Sequence, residues 1–188
     1  MDAHWHRIHG KLNSLHEQLF RPIPELFHSF ETGEPFIHCT GCGKNLVEDR
    51  STYLVEKVYQ RGEVIVEFAM CHECLKPVRE EISEESKAAL QKFFKENRKV
   101  WQDLTRCNLC LQPREELVSY KILADCSGTQ LFSLGHPTTI CGTCHGKVSE
   151  CISEQTRKNM DKHRDLFVPD PPMAEKSLPG VPVEDVPV

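Results

Sequence analysis

The chain has 188 residues, a formal net charge of −5, 27% charged and 7% aromatic residues, and ten cysteines. Its length allows one domain or two small ones. The N-terminal MDAHWHRIHG lacks the basic stretch and apolar run of a secretory signal, and no segment approaches a membrane span, so the expected location is cytoplasmic.

The first expected element is an amphipathic helix over residues 1–21. Trp5, Ile8, Leu12, Leu15 and Leu19 form one apolar seam, and the Pro22 and Pro24 region ends it. His4, His6, His9 and His16 crowd this helix, and His6 and His9 are spaced to share a ligand. The apolar seam accounts for the helix without one.

Four Cys-x-x-Cys pairs follow: Cys39/Cys42, Cys71/Cys74, Cys107/Cys110 and Cys141/Cys144. Two intervening residues let both sulfurs reach one ion from a tight turn, and two such pairs complete a tetrahedral four-cysteine site. Taken in order they make a first module over 36–83 and a second over 105–167, with 28 residues between pairs in the first and 30 in the second. A module of this size buries little apolar surface, and a metal is a common remedy. In a reducing compartment such pairs predict metal ligands rather than disulfides, so two Zn2+ per chain are expected.

Within the first module the run from Thr52 to Met70 alternates in polarity about a turn at Gln60 to Glu63, which predicts a β-hairpin. In the second, Val118, Tyr120 and Ile122 alternate, Asp125 to Gly128 is the expected turn, and a return strand begins at Leu131. Cys126 is thereby placed in a turn with an accessible thiol. Val78 and Ile82, like Val148 and Ile152, are four apart, which predicts helix after the second pair of each module.

The modules are internally similar. Cys71 to Ser86 (CHECLKPVREEISEES) aligns without gaps on Cys141 to Thr156 (CGTCHGKVSECISEQT), so that Val78, Glu80, Ile82, Ser83 and Glu84 meet Val148, Glu150, Ile152, Ser153 and Glu154. Shared zinc geometry would explain the cysteines but not the repeated Ile-Ser-Glu, which points to duplication. Knuckle, hairpin and a helix carrying the last two ligands resembles the treble-clef type of zinc finger, over about residues 37–83 and 105–153. The Cys42-Gly43-Lys44 and Cys141 to Lys147 stretches also resemble zinc-ribbon knuckles. The resemblance implies small α+β zinc modules, two in tandem, with flanking helices.

A linking helix is expected over 84–104, with Ser83 as N-cap and a seam of Leu90, Phe94, Asn97, Trp101 and Leu104. Another is expected from Glu154 to about Leu166. The tail over 168–188 has six prolines in 21 residues and should be disordered.

Zinc held by four thiolates has no open position and no water to activate, so the expected role is structural and the protein is not expected to be an enzyme. His72 and His145 lie inside or beside cysteine pairs, but eight cysteines already suffice. Cys126 and Cys151 are left over, with no adjacent base to activate them. A treble-clef nuclease would need a catalytic histidine and a further ligand, and His136 alone does not supply that site.

Of the net charge, −3 falls in the tail and −2 on residues 1–167, and each four-thiolate zinc site adds about −2. Such a body favours binding to another protein over binding to nucleic acid. Lys87, Lys92, Lys95, Arg98 and Lys99, with Arg157, Lys158, Lys162 and Arg164, keep a nucleic-acid-binding accessory of transcription or translation as the alternative. Glu84, Glu85, Glu96, Asp161 and Asp165 are interspersed among them. Cys74→Ser or Cys144→Ser should release one zinc and unfold mainly its own module, whereas loss of both metals would show one interdependent core.

Overall fold

Phe20–Pro22 forms a strand, β1, so the chain is already extended where the expected N-terminal helix was to reach residue 21. Arg21 precedes a proline, which disfavours helical backbone there, and β1 lies at an edge of the sheet, where Pro22 need not donate. The computed structural model describes residues 20–48, 52–100, 103–132 and 137–162. The helix expected before residue 20, its four histidines, His136 and the tail lie outside the described residues. A 3-10 turn at Glu25–Phe27 then buries Phe27 completely.

Thr52–Gln60 (β2) and Glu63–Cys71 (β3) form the expected hairpin. Its two loop residues, Arg61 (φ 53°) and Gly62 (φ 85°), both take positive φ, as the tight turns that match strand twist require. The register shifts between Val58 and Tyr59, leaving Ile65 as the extra residue of a β-bulge on the edge strand.

The second hairpin departs from the sequence expectation. Ser119–Ser127 is one nine-residue strand, β4, and the turn falls at Gly128 and Thr129 before Gln130–Phe132 (β5). Ile122, Ala124 and Cys126 continue the alternation inward, and Gly128 supplies the positive φ, 56°. Cys126 is therefore fully buried within a strand, not accessible in a turn. Thr138–Cys141 (β6) returns along β4.

β2 and β4 pair antiparallel along their whole length, from Thr52 opposite Ser127 to Gln60 opposite Ser119. The two hairpins thus share one six-stranded antiparallel sheet, ordered β1-β5-β4-β2-β3 with β6 also on β4. The arrangement is pseudo-two-fold: Tyr53 sits opposite Cys71, and Tyr120 opposite Cys141. Across the seam Tyr53 faces Cys126, and Tyr120 faces Tyr59 with the rings stacked 4.7 Å apart. One face of the sheet carries Tyr53, Val55, Tyr59, Ile122, Ala124 and Cys126 into a core with Ile23, Phe27 and Leu46. Lys57 is buried on the same face, 3.0 Å from Glu67.

Among the described residues, four helices accompany the sheet in an α+β fold: His72–Glu80 (α1), Glu84–Asn97 (α2), Gly142–Glu150 (α3) and Glu154–Lys162 (α4). The linking helix α2 is shorter than the expected 84–104. Arg98 turns extended (φ −71°, ψ 121°), and the Lys99 N–H donates to the Asn108 carbonyl (2.9 Å), leading the chain into the second cysteine turn. Phe93 and Phe94 of α2 pack with Leu123 and Val148 against the second module's buried Cys107, Leu109 and Ile140. No helix of the described residues is long and apolar enough to cross a membrane.

Candidate metal centres

Each centre is built from one tight turn and one strand-to-helix junction. In the first turn, the Cys39 N–H donates to the Lys44 carbonyl (2.8 Å) and the Gly43 N–H to the Cys39 carbonyl (2.8 Å). Gly43 takes a φ of 72° to close it. The second repeats this bond for bond, Cys107 to Gln112 and Leu111 to Cys107, both 2.9 Å. Leu111 stands where Gly43 does, at φ 68°. His38 bridges to Asn45, and Arg106 to Pro113, at the same offset.

The other two cysteines of each set come from the end of the hairpin. Cys71 closes β3 and caps α1, and Cys74 lies in its first turn; Cys141 and Cys144 hold the same places at β6 and α3. The Cys71 N–H donates to Cys39 Sγ (3.3 Å) and the Cys141 N–H to Cys107 Sγ (3.4 Å), tying the two halves of each centre together. Gly41 lies close to the centre: a Cβ there would be 3.2 Å from Cys74 Sγ, which would have to give by a few tenths of an ångström, whereas the second turn carries Leu109 at this place.

The structure brings all eight cysteines of the sequence analysis into two groups of four, with the sulfurs of each group within 4.8 Å of one another. Cys39 and Cys74, Cys42 and Cys71, and Cys110 and Cys141 have Sγ atoms 3.8 Å apart. A tetrahedron with metal–sulfur bonds of about 2.3 Å has edges of about 3.8 Å, whereas a disulfide needs about 2.05 Å. These dimensions fit a four-coordinate metal ion in each group. Cys42 and Cys110 are exposed, while Cys39, Cys71, Cys107, Cys141 and Cys144 are buried and Cys74 is half-buried.

The electrostatics follow from crowding and from backbone donors. Burial opposes ionisation of Cys39, but N–H groups of Cys71, Cys42 and Gly41 outweigh it and bring its pKa down to about 7. Cys107 is brought to about 7 against the same burial by the N–H groups of Cys141, Cys110 and Leu109. Cys74 and Cys144 are pushed far up by burial and by neighbouring sulfurs. Four thiols this close cannot all ionise together unless a cation lies between them, and a divalent ion at the centre reverses the penalty.

His72 and His145 do not join the groups of four. The His72 ring lies 4.0 Å from an Asp125 oxygen on one side and 3.4 Å from the Arg79 guanidinium on the other. His145 lines a cleft between the modules. Cys126, packed on Tyr53, has its thiol pushed up to about 12 by burial and by Asp125. Two contributors were not evident in the sequence: the backbone donors of Cys71 and Cys141, and the close approach at Gly41. Only the latter left a trace, as a glycine inside the first cysteine pair.

The fold and the sites define a small α+β protein with an antiparallel sheet and two four-cysteine groups able to hold metal. Compared with the models of known protein families, with curated proteins and with solved structures, the chain matches none of them.

Proposed function

We propose that the chain is a non-enzymatic zinc protein of tandem treble-clef-like modules that serves as an interaction scaffold for another protein, in the cytoplasm. The observation that carries the zinc assignment is the 3.8 Å sulfur spacing in both groups, which suits zinc–thiolate bond lengths. The order of cysteine turn, hairpin and ligand-bearing helix supports a treble clef over a ribbon, in which a strand would follow the second pair. A zinc ion enclosed by four thiolates is coordinatively closed, so its role is to hold the fold.

The scaffold role is supported by large apolar side chains bordering the β2–β3 hairpin. Phe30, Ile65 and Val118 are 77%, 54% and 67% exposed, more apolar surface than a single hairpin needs to leave in water. The Phe30 N–H is tied to Glu67 of β3, and the Val118 carbonyl accepts from the Arg61 N–H in the turn. The basic residues that favoured nucleic acid are locally offset: Lys87 pairs with Glu84 (2.7 Å) and Lys158 with Glu154 (2.7 Å).

Elemental mass spectrometry of protein purified without added metal tests the first part, with two zincs per chain expected. Capture of a protein partner that is lost in Phe30→Asp or Val118→Asp variants with unchanged zinc content tests the second. A salt-sensitive mobility shift with mixed DNA and RNA would replace the scaffold reading with the nucleic-acid one.

A further inference from the structure

The two metal centres are built alike, yet they are not equally open to solvent. In the first, Cys42 is exposed and Cys74 half-buried, whereas in the second Cys110 is exposed and Cys107, Cys141 and Cys144 are all buried. The residues beside the exposed sulfurs differ as well. Cys42 lies between Gly41 and Gly43, which have no side chain to cover it, while Cys110 lies between Leu109, only 5% exposed, and Leu111.

Within the first centre the sulfurs are not chemically equivalent. Cys39 Sγ accepts N–H bonds from Cys71, Cys42 and Gly41, and bonds that favour the thiolate also weaken it as a nucleophile. Among the described residues no N–H donates to Cys42 Sγ, which has Cys71 Sγ beside it at 3.8 Å. Thiolates held by a divalent ion stay deprotonated at neutral pH, and the thiolate rather than the thiol is the nucleophile. Cys42 therefore combines exposure and charge with an adjacent sulfur that can close a disulfide, the arrangement of a redox-sensitive cysteine.

We propose that Cys42 is an oxidation site for peroxides, through which the first centre gives up its zinc before the second. This deepens the zinc reading above and rests on it. The Cys42 sulfur attacks one peroxide oxygen, the O–O bond breaks, and the departing hydroxide takes a proton to become water, leaving a sulfenic acid at Cys42. The Cys71 sulfur then attacks that sulfur, a second hydroxide departs and is protonated to water, and a Cys42–Cys71 disulfide remains. The peroxide gains two electrons, the two sulfurs together lose two, and the ion loses two of its ligands.

The test uses the full metal-loaded chain, its zinc content measured beforehand, treated with hydrogen peroxide in steps below one equivalent. Zinc release is followed with a metallochromic chelator, and cysteine pairing by peptide mass spectrometry after alkylation. Zinc is expected to leave in step with formation of a Cys42–Cys71 disulfide, while Cys107, Cys110, Cys141 and Cys144 are still reduced. Gly41→Leu, which installs the residue that the second turn carries, should slow that release severalfold with zinc loading unchanged. If this variant does not load zinc, Leu111→Gly makes the reverse comparison and should speed oxidation of Cys110. Oxidation of the second centre first, zinc release while Cys42 stays reduced, a disulfide that leaves out Cys71, or indifference to both turn substitutions would each overturn the assignment. A chain that takes up no zinc refutes the zinc reading itself, so the two failures are told apart before any peroxide is added.

Discussion

Ser83 and Ser153 meet across the pseudo-two-fold with their hydroxyl oxygens 3.2 Å apart, each capping the helix that follows it. Around them Ser86 and Thr156 complete a ring of four hydroxyls: the Ser83 N–H donates to Thr156 Oγ1 (3.0 Å) and the Ser153 N–H to Ser86 Oγ (2.9 Å). The repeated Ile-Ser-Glu thus joins the modules by exchanging capping bonds between them. Ser86 and Thr156 are fully buried, so Thr156→Val removes an acceptor that no water replaces. The expected loss is about 1–3 kcal/mol in urea unfolding. An unchanged midpoint would show that the hydroxyl ring contributes nothing to stability.

The two metal centres should not behave independently. Tyr53 links the first centre to the body of the second module, lying opposite the ligand Cys71 on one side and opposite Cys126 of β4 on the other. Cys144→Ser should therefore lower the stability of both modules, giving one cooperative transition at lower denaturant rather than loss of one module alone. Metal stoichiometry followed through a denaturant titration distinguishes the two, since independent modules would release their ions in two separate steps.

Leu111 occupies a left-handed position that Gly43 fills in the first module. That conformation costs a side-chain-bearing residue about 1–2 kcal/mol, and glycine's greater freedom in the unfolded chain returns part of this. Leu111→Gly is expected to stabilise by about 0.5–1 kcal/mol, and Gly43→Ala to destabilise by about 1 kcal/mol. Paired thermal melts with metal bound are sufficient to check both signs.

Lys57 and Glu67 form an ion pair inside the main core, where Lys57 also donates to the His28 carbonyl and Glu67 accepts from Ser29 and from the Phe30 N–H. Lys57→Met leaves the carboxylate without its cation and should cost about 3–5 kcal/mol. The double variant Lys57→Met with Glu67→Gln should recover a large part of that, because the second change removes the charge. Additive losses in a double-mutant cycle would show that the two groups do not interact.

Cys126 should resist alkylation in the native protein, while the half-exposed Cys151 reacts. Its pKa is raised from the ordinary 9.0 to about 12, so folding favours the neutral thiol. The resulting stability is fully present below about pH 9 and is lost as the pH climbs towards about 12. Cys126→Ala should accordingly flatten the alkaline decline in melting temperature relative to the unaltered chain. Iodoacetamide labelling read by mass spectrometry checks the first claim, and melts across the alkaline range check the second.

Much of the local structure was legible in the residues. Cysteine spacing identified all eight members of the two groups, and alternation located the first hairpin to within a residue or two, because both patterns depend on near neighbours. Ser83 and Ser153 were likewise legible as N-caps of the helices that follow them, but not that the two meet. Misplacements arose where a distant partner overrides the local pattern. Asp125 to Gly128 has the composition of a turn, yet Cys126 stays in β4 because Tyr53 and the core beneath it accept its side chain. The linking helix has an apolar seam running to Leu104, yet it stops at Asn97 because Lys99 bonds to the second cysteine turn.

What the sequence by itself determined is therefore the chemistry: two sets of four thiols, their pairing within each set, and the internal similarity of the stretches that follow the second pairs. Only the tertiary structure decided that β2 and β4 join into one sheet and that Cys126 is sealed inside it. Ligand spacing is set by a few consecutive bonds, whereas strand pairing between residues some 70 positions apart is set by which faces the whole chain can bury together.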